Sequence, residues 1–257
     1  MSRILLIGGG HAHVAVLADW AKRGLPAESA TLLTPEPALR YSGMVPGWIA
    51  GEHGFAEGLV DLERLARAAG VRLVLDAAVA IDPAARSVLT LDNGVLDFDI
   101  ASIDVGGVGR ARRVLGEDPR ILDVRPIARF VETIAERSLA GRRIAVVGGG
   151  AGGVELAFAL RNARKADPCP EVTLVTGQRG LLPDLSPAVR RKVEREMARQ
   201  HIALVPADAR IEGDVLLAGE LAVPTDHIVA ALGSGAPDWP RMGGLAVDEA
   251  GFIAVDA

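Results

Sequence analysis

The sequence has few cysteines and aromatic residues, and it contains no long apolar run. Cys169, in the loop-like stretch Asp-Pro-Cys-Pro, is the single cysteine among 257 residues. The chain therefore forms no internal disulfide, and it offers no paired thiols for dithiol reduction or for a thiolate zinc site. Aromatic residues make up 4% of the sequence, whereas 49% of it is hydrophobic. We expect cores of Leu, Val, Ile and Ala, which are typical of buried parallel sheets.

Charge and hydropathy exclude further classes of protein. The formal net charge is −5, and acidic and basic residues are interspersed along the chain, so the sequence gives no electrostatic case for a nucleic-acid partner. No stretch approaches the roughly 20 apolar residues of a membrane span. The few apolar residues before Gly8 do not form a signal peptide. We expect a cytoplasmic protein, with peripheral membrane attachment left open for a longer chain.

The opening residues carry a strand, a glycine turn and a helix. An apolar run over Ile4–Ile7 predicts a strand buried on both faces, Gly8–Gly10 predict a tight turn, and a helical repeat follows until Gly24. Together these elements form a site for a pyrophosphate, because unpaired N–H groups and the positive end of the helix dipole face the anion. His13 replaces the third glycine of this G-x-G-x-x-G pattern. A glycine-rich turn in another kind of α/β protein therefore stays open.

The second strand is predicted at Ala30–Leu33, and two candidate regions follow it. A dinucleotide site normally has Asp or Glu at the end of this strand for the adenosine ribose. Thr34 takes that place and Glu36 follows two residues later, so Glu36 either reaches the ribose or is a solvated turn residue. The stretch Leu39–Gly51 shows no clear period. It is predicted to be an irregular segment, either near a ligand or packed as an ordinary loop.

Three further elements complete the first half of the chain. Asp61 is predicted to cap a helix, and Val71–Leu75 is predicted to form a third strand. Asp92–Gly94 lies between two Val-Leu pairs, which is a strong signal for a hairpin. Ile100–Val105 then returns as a strand that runs into a pair of glycines.

The same order of features repeats in the second half. Residues 143–153, RIAVVGGGAGG, restate the opening strand and glycine turn, now with all three glycines of G-x-G-x-x-G. Gly148 follows Gly8 by 140 positions, and Gly233 follows Gly106 by 127 positions. The chain therefore carries two copies of one nucleotide-binding plan.

Five motifs together resemble a known family. They are GGGHAHV at 8–14, YSGMVPG at 41–47, SIDVGG at 102–107, VVGGGAGGVELA at 146–157 and VAALGS at 229–234. The chain resembles the two-dinucleotide-binding-domain flavoproteins, which include pyridine nucleotide-disulfide oxidoreductases, type II NADH dehydrogenases and sulfide:quinone reductases. The first glycine motif and the YSGM loop are most similar to the FAD-binding oxidoreductase domain that is fused to selenide, water dikinases.

The resemblance implies an α/β fold of two Rossmann-like, three-layer dinucleotide-binding domains, the second inserted into the first. Residues 1–107 would begin the FAD-binding domain, 108–236 would form the NAD(P)-binding domain, and 237–257 would return to the FAD-binding domain. The family's later Gly-Asp motif for the flavin and its C-terminal interface domain do not follow in this sequence. We expect either a shortened chain or a natural fragment with an incomplete flavin site.

The resemblance also implies which residues contact FAD. The backbone of the glycine turn and of the first helical residues would hold the pyrophosphate, and the loop that begins at Tyr41 would approach the flavin ring. The segment after the third strand would meet the adenine, and Gly106 would let the chain pass close to the cofactor. With Glu36 from the ribose argument, the candidate FAD contacts are Gly8, Gly9, Gly10, His11, Ala12, Glu36, Tyr41, Ser42, Gly43, Met44, Pro46, Ala78, Val79 and Gly106.

For NAD(P)H, the resemblance assigns the second glycine turn to the pyrophosphate and Glu155 to the nicotinamide side. Thr176 stands at the end of the following strand, where a carboxylate would repel the 2′-phosphate of NADPH. NADPH is therefore tolerable, and Arg179 is either a cation for its phosphate or a solvated loop residue. The candidate NAD(P)H contacts are Gly148, Gly150, Ala151, Gly152, Gly153, Glu155, Thr176, Arg179 and Gly233.

The function that the resemblance implies is that of an FAD-dependent NAD(P)H oxidoreductase with a quinone or another small electron acceptor. The cofactors carry this chemistry, so no catalytic side chain is predicted. No metal site is predicted either, because His11 and His13 stand at i and i+2 and do not face each other on a helix. The lone Cys169 disfavours the disulfide-reducing and sulfide-oxidising branches. The alternative is a non-catalytic nucleotide-binding or redox-sensing module, or a fragment unable to hold FAD; a homodimer or a fused partner domain stays open.

Overall fold

A computed structural model describes residues 2–164 and 166–255 of the chain. The architecture is mixed α/β with parallel sheets, as the sequence predicts. The chain divides into two compact units. Unit 1 comprises Met1–Tyr41, Gly58–Val108 and Gly235–Ala257, and unit 2 comprises Ser42–Glu57 and Gly109–Ser234. The last two residues of the predicted return segment lie outside the described part of the chain.

Both units contain strands and helices. The strands of the described residues are β1 (Arg3–Ile7), β2 (Ser29–Thr34), β3 (Ala38–Arg40), β4 (Leu59–Asp61), β5 (Arg72–Leu75), β6 (Ala78–Asp82), β7 (Ser87–Thr90), β8 (Val95–Asp97), β9 (Ile100–Ile103), β10 (Val108–Gly109), β11 (Ile121–Asp123), β12 (Arg143–Val147), β13 (Glu171–Val175), β14 (Ala203–Val205), β15 (Ala209–Glu212), β16 (Val215–Ala218), β17 (Leu221–Val223), β18 (His227–Ala230) and β19 (Ser234–Gly235). The helices are α1 (His11–Arg23), α2 (Val45–Ala50), α3 (Leu62–Ala68), α4 (Ala111–Leu115), α5 (Ile127–Glu136), α6 (Ala151–Arg161), α7 (Pro187–Arg199) and α8 (Trp239–Met242), with a 3₁₀ turn at Ser42–Met44.

Unit 1 has three layers around a parallel sheet of strand order β5-β2-β1-β9. Successive residues of β1 face opposite sides of this sheet. Leu6 belongs to a core cluster with Leu17 of α1 and Leu62 of α3. Ile7 belongs to a second cluster with Val88 of the antiparallel sheet β6-β7-β8. The apolar run Ile4–Ile7 of β1 therefore packs on both faces, as its sequence predicts.

Unit 2 repeats this arrangement around a parallel sheet of strand order β11-β18-β12-β13-β14. Val146 of β12 shares a core cluster with Leu160 of α6 and Phe130 of α5. Val147, on the opposite face, shares a cluster with Leu216 of the antiparallel sheet β15-β16-β17. The strand before each glycine turn is thus the buried centre of its unit.

Each unit also fixes the start of its central strand with an arginine–aspartate pair. The backbone N–H of Arg3 donates to Asp99 Oδ2 at 2.7 Å, and its guanidinium donates to Asp99 Oδ1 at 3.2 Å. Arg143 makes the same two bonds to Asp226 at 2.9 Å and 2.7 Å. The side-chain hydrogen bond from the arginine, followed by the backbone bond, holds the pKa of both carboxyls below the ordinary range, and that of Asp226 is lowered to about 2.

The stretch Leu39–Gly51, which the sequence predicts to be irregular, is ordered in unit 2 after Tyr41. The 3₁₀ turn leads directly into α2. Val45 and Ile49 of this helix are buried in the same cluster as Leu160 of α6, and Gly51 ends the helix in the left-handed conformation with φ +79°. The prediction missed α2 because six residues are too few to display a helical period.

Two local predictions for unit 1 are confirmed, and α5 is, like α2, an element of unit 2 that was not predicted from the sequence. Asp61 Oδ1 accepts a hydrogen bond of 2.8 Å from Arg64 N at the start of α3. Asp92–Gly94 joins the antiparallel strands β7 and β8. In α5 the buried Phe130 and Ile134 lie one turn apart. Among the described residues, no helix combines the length and the hydrophobicity needed to cross a membrane.

Candidate functional site

The glycine turn after β1 is built by one close backbone approach. Gly8 has φ +97°, and a Cβ there would overlap the carbonyl oxygen of Asp104, just after β9. Its N–H donates to Leu33 O of β2 at 2.7 Å, so the turn is fixed to both neighbouring strands. Only glycine satisfies both the positive φ and the close approach. The turn leads directly into α1, whose N-cap is Gly10.

The glycine turn after β12 has the same construction in unit 2. Gly148 has φ +136°, and a Cβ there would overlap the carbonyl oxygen of Ala231, just after β18. Its N–H donates to Val175 O of β13 at 2.8 Å. Because Asp104 N bonds to Ile7 O and Ala231 N bonds to Val147 O, both at 2.8 Å, Asp104 and Ala231 occupy equivalent positions in the two units.

The third glycine position differs between the units for a steric reason. A Cβ on Gly153 would overlap the carbonyl oxygen of Gly148, so α6 packs directly on the turn. In unit 1 the same place holds His13, whose side chain is 1% exposed. Its Nδ1 lies 2.6 Å from Gly8 O, and its Nε2 lies 2.9 Å from Ser102 Oγ. The imidazole therefore replaces a backbone contact with two hydrogen bonds and keeps the turn closed.

The N-terminus of α6 is open to an anion. Gly150 and Gly152 have free space where a Cβ would stand, and the first turn of the helix contains no acidic residue. Within the described residues, no side chain is bonded to the N–H groups of Ala151, Gly152 or Gly153. Backbone N–H groups and the helix dipole are thus available together, as binding of a pyrophosphate requires. The residues of unit 2 fit the phosphates of NAD(P)H.

The N-terminus of α1 differs because a carboxylate lies on it. Asp104 Oδ2 accepts hydrogen bonds from Ala12 N at 2.8 Å and from His13 N at 3.2 Å. A Cβ on Gly10 would overlap this same carboxylate. The backbone of the turn fits a pyrophosphate, but an acidic side chain occupies two of the N–H groups that would bind it. Sequence reasoning missed Asp104, although the SIDVGG motif places an acid where VAALGS has Ala231.

Four of the remaining candidate FAD contacts lie where strands of the parallel sheet end: His11 and Ala12 begin α1, Glu36 follows β2 and Gly106 follows β9. His11, at the start of α1, makes an edge-on ring contact with Tyr41 at 5.6 Å between centroids. Glu36 is exposed in the turn after β2, where its N–H bonds to Thr34 Oγ1 at 3.4 Å. Gly106 has φ +68° after β9. Two groups of candidate residues lie in other elements. Ala78 and Val79 begin β6. Four residues belong to the 3₁₀ turn and α2 of unit 2: Ser42, Gly43, Met44 and Pro46.

A buried carboxylate that the sequence did not indicate orders the hairpin beside β6. Asp76 is 5% exposed, and its oxygens accept hydrogen bonds from Ala77 N, Asp92 N, Asn93 N and Asn93 Nδ2 at 2.7 to 3.0 Å. Burial by itself raises the pKa of Asp76, but these hydrogen bonds outweigh it and hold the pKa well below the usual range. The carboxylate of Asp76 therefore orders this loop through its hydrogen bonds.

The candidate residues for the adenosine end of NAD(P)H follow β13. Thr176 is 7% exposed, and its hydroxyl donates to Gly177 O at 3.2 Å. Arg179 is exposed and pairs with Asp184 at 2.8 Å. Glu155 is exposed on α6, and Gly233 has φ +75° after β18. No group of side chains with metal-ligating chemistry occurs among residues 2–164 and 166–255.

Comparison with known proteins identifies relatives at the level of family and fold. The family model described as pyridine nucleotide-disulphide oxidoreductase matches residues 2–257. No curated protein sequence matches the chain.

Solved structures share the fold over nearly the whole chain. The chain is similar to a water-forming NADH oxidase from Lactobacillus brevis (TM-score 0.82, 17% identity), an NAD-dependent persulfide reductase from A. fulgidus (0.81, 21%) and a ferredoxin reductase from Rhodopseudomonas palustris (0.78, 18%). The alignments cover 98%, 99% and 96% of this chain, but 58%, 50% and 62% of those proteins. The chain therefore spans about half to three fifths of their length, and at these identities the likeness concerns the fold.

Proposed function

Because the chain belongs to the pyridine nucleotide-disulphide oxidoreductase family, we propose that it is an FAD-dependent NAD(P)H oxidoreductase. The observation that carries the proposal is the pair of glycine turns, one in each unit, with the same backbone bonds and the same close approach. Two dinucleotide sites on one chain suit a protein that brings a reduced nicotinamide and a flavin together.

In this proposal unit 1 binds FAD. The backbone of the turn Gly8–Gly10 and the first N–H groups of α1, at His11 and Ala12, hold the pyrophosphate, and Glu36 would reach the ribose of the adenosine. Tyr41, whose ring contacts that of His11, would approach the flavin ring. Ala78 and Val79 would meet the adenine through their backbone.

Unit 2 binds NAD(P)H in the same proposal. The open first turn of α6 receives the pyrophosphate through the N–H groups of Ala151, Gly152 and Gly153. Glu155 lies two residues further along the helix than Gly153, on the proposed nicotinamide side. The absence of a carboxylate at Thr176 leaves room for the 2′-phosphate of NADPH, with Arg179 as a nearby cation that Asp184 partly neutralises.

FAD held by unit 1 would supply the acceptor for a hydride from the nicotinamide held by unit 2, and the electrons would go on to a quinone or another small acceptor. The chain contributes binding and orientation, and no acid or base is required of its side chains for the hydride step. Cys169 is exposed, outside any arrangement that would make a redox-active pair.

A second candidate function is a nucleotide-binding module without turnover. The carboxylate of Asp104 on the α1 N-terminus favours this candidate, because it opposes an anion at the proposed flavin site. The two candidates differ in whether NAD(P)H reduces a flavin held by this chain.

The test is an anaerobic titration of the FAD-reconstituted protein with NADH and with NADPH. We expect a bound-flavin absorption spectrum that bleaches at one equivalent of the nicotinamide. The matched control is Gly152→Asp, which puts a carboxylate into open space at the α6 N-terminus; it should retain flavin and lose the bleaching. A reconstituted flavin that neither nucleotide reduces would refute the oxidoreductase and leave the binding module.

A further inference from the structure

We propose that the Asp104 carboxylate is a built-in competitor of the FAD pyrophosphate at the N-terminus of α1, and so lowers the affinity of unit 1 for FAD. The inference rests on the proposed assignment of unit 1 to FAD. It gives a role to a residue that lies outside the glycine pattern and outside every predicted contact.

The geometry places the carboxylate on the binding groups themselves. Asp104 Oδ2 accepts from Ala12 N at 2.8 Å and from His13 N at 3.2 Å, and these N–H groups belong to the first turn of a helix of 13 residues. A pyrophosphate seeks the same N–H groups and the same end of the helix dipole. Two anions cannot share these donors without strong repulsion at such a short distance.

The second unit supplies an internal comparison. Ala231 is the backbone equivalent of Asp104, since each carbonyl oxygen meets the first glycine of its turn and each N–H bonds to the end of the central strand. The methyl group of Ala231 lies 3.4 Å from the position of a Cβ on Gly148, so it packs in the turn and leaves the α6 N-terminus open. One side chain thus distinguishes a self-occupied anion site from an open one.

The carboxylate has a second effect on the protein without cofactor. It satisfies two N–H groups at the helix start and complements the helix dipole, so it stabilises unit 1 when no dinucleotide is bound. Removing it should therefore change two properties in opposite directions. The free protein should become less stable, and the complex with FAD should become tighter.

The experiment compares Asp104→Ala and Asp104→Asn with the wild type. Asp104→Ala reproduces the residue of unit 2, and Asp104→Asn keeps the size and a hydrogen-bond acceptor but removes the charge. FAD affinity is measured for each apoprotein by quenching of FAD fluorescence, and thermal unfolding is followed without ligand. We expect both variants to bind FAD at least about tenfold more tightly, because a like charge is removed from the phosphate site, and to unfold at a lower temperature.

The reciprocal variant is Ala231→Asp in unit 2. It should place a carboxylate at the α6 N-terminus and weaken binding of NADH and of NADPH by about tenfold or more, while FAD affinity stays at the wild-type value. Because the readout is binding, the result does not depend on turnover.

Unchanged or weaker FAD binding by both Asp104 variants would overturn the inference, as would absence of FAD binding by all three proteins. The outcome is separate from that of the proposed function. If the variants bind FAD tightly but NAD(P)H does not reduce it, the inference stands and the oxidoreductase fails. If the wild type holds a reducible flavin and the variants bind it no better, the oxidoreductase stands and the inference fails.

Discussion

His13 shows how one side chain can replace a missing glycine. In unit 2 the helix packs on the turn because Gly153 has no side chain, whereas in unit 1 the imidazole bridges Gly8 O and Ser102 Oγ at 2.6 and 2.9 Å. The histidine is a buried and fully bonded part of the core. Sequence reasoning treated it as a departure from the pattern, because a hydrogen-bonded substitute cannot be distinguished from a defect without the position of the neighbouring strand.

We expect His13→Ala to lower the free energy of unfolding by about 2–4 kcal/mol, since it leaves a void and removes the partner of a buried carbonyl. Denaturant unfolding measures the change. Ser102→Ala is the control, because it removes only the exposed partner and should cost no more than about 1 kcal/mol. Equal stability of His13→Ala and the wild type would show that the bridge does not hold the turn.

The proposed function makes Thr176 the residue at which we expect the choice between NADH and NADPH to be most easily changed. Under the proposed function, Thr176→Asp puts a carboxylate at the end of β13, where it would meet a 2′-phosphate that carries roughly −1.5 to −2 charges. We expect NADPH affinity to fall by about tenfold or more, with NADH affected far less. Binding titrations with both nucleotides measure this.

The control for this prediction is Arg179→Ala, which removes a cation that is already paired with Asp184 at 2.8 Å. Arg179→Ala should lower the affinity for NADPH less than Thr176→Asp does, because an exposed charge that is already paired contributes little to binding. If Thr176→Asp lost affinity for NADPH and for NADH equally, the substitution would have damaged the fold of the turn, and the carboxylate would not be discriminating against the 2′-phosphate.

At the scale of elements, the central strand of each unit is anchored at its start by an arginine–aspartate pair and finishes at a glycine turn. The repeat of the Arg3–Asp99 pair as Arg143–Asp226 is visible in the sequence only as two arginines before apolar runs. Their partners are distant in the chain, so the pairing depends on the parallel neighbours β9 and β18. Local sequence determines the strands, and the sheet order determines which acids reach them.

The lowered pKa of Asp226 predicts how the stability of the folded protein depends on pH in acid. The pKa of Asp226 is about 2 in the folded protein, below the ordinary value of roughly 3.9. The charged carboxylate therefore stabilises the folded protein fully at pH values above roughly 3.9, and this stabilisation is lost as the pH falls towards 2. We expect Asp226→Asn to lower the melting temperature by a few degrees at pH 7, with the difference from wild type vanishing near pH 2.

Melting curves between pH 2 and pH 7 measure this dependence. Asp19→Asn is a suitable control, since the Asp19–Arg23 pair lies on the surface of α1 with side chains 49% and 80% exposed, and exposed pairs contribute little. A difference between Asp226→Asn and wild type that stays constant down to pH 2 would contradict the assignment.

At the scale of the whole molecule, the chain folds as two units that are each assembled from separated stretches. Residues 42–57 lie early in the sequence but belong to unit 2, and residues 235–257 lie at the end but belong to unit 1. In unit 1, Trp239 and Leu245 pack with Ile81, and in unit 2, Val45 packs in the cluster of α6.

The division into two units predicts which unit is destabilised by a buried charge at position 45. Val45 is 2% exposed, so Val45→Asp should destabilise unit 2 by at least about 3 kcal/mol. Hydrogen exchange should accelerate in β12 and α6, while β1 and β2 keep their protection. Ala56→Asp adds the same charge at an exposed position of the same stretch and should leave both units protected; faster exchange in unit 1 alone would contradict the division.

The sequence by itself determined the buried central strands, the two glycine turns and their order along the chain, because apolar runs and glycines at fixed spacing report local backbone requirements directly. It also carried the family, since two motif sets repeat in one order. Only the tertiary structure decided the roles of His13, Asp104 and α2. Those roles depend on which residues distant in the chain meet at the end of a sheet, and that follows from strand order and packing, which no local pattern encodes. Thus nothing in the sequence distinguishes Asp104 from other acidic residues. Its carboxylate lies on the α1 N-terminus because β9 pairs with β1.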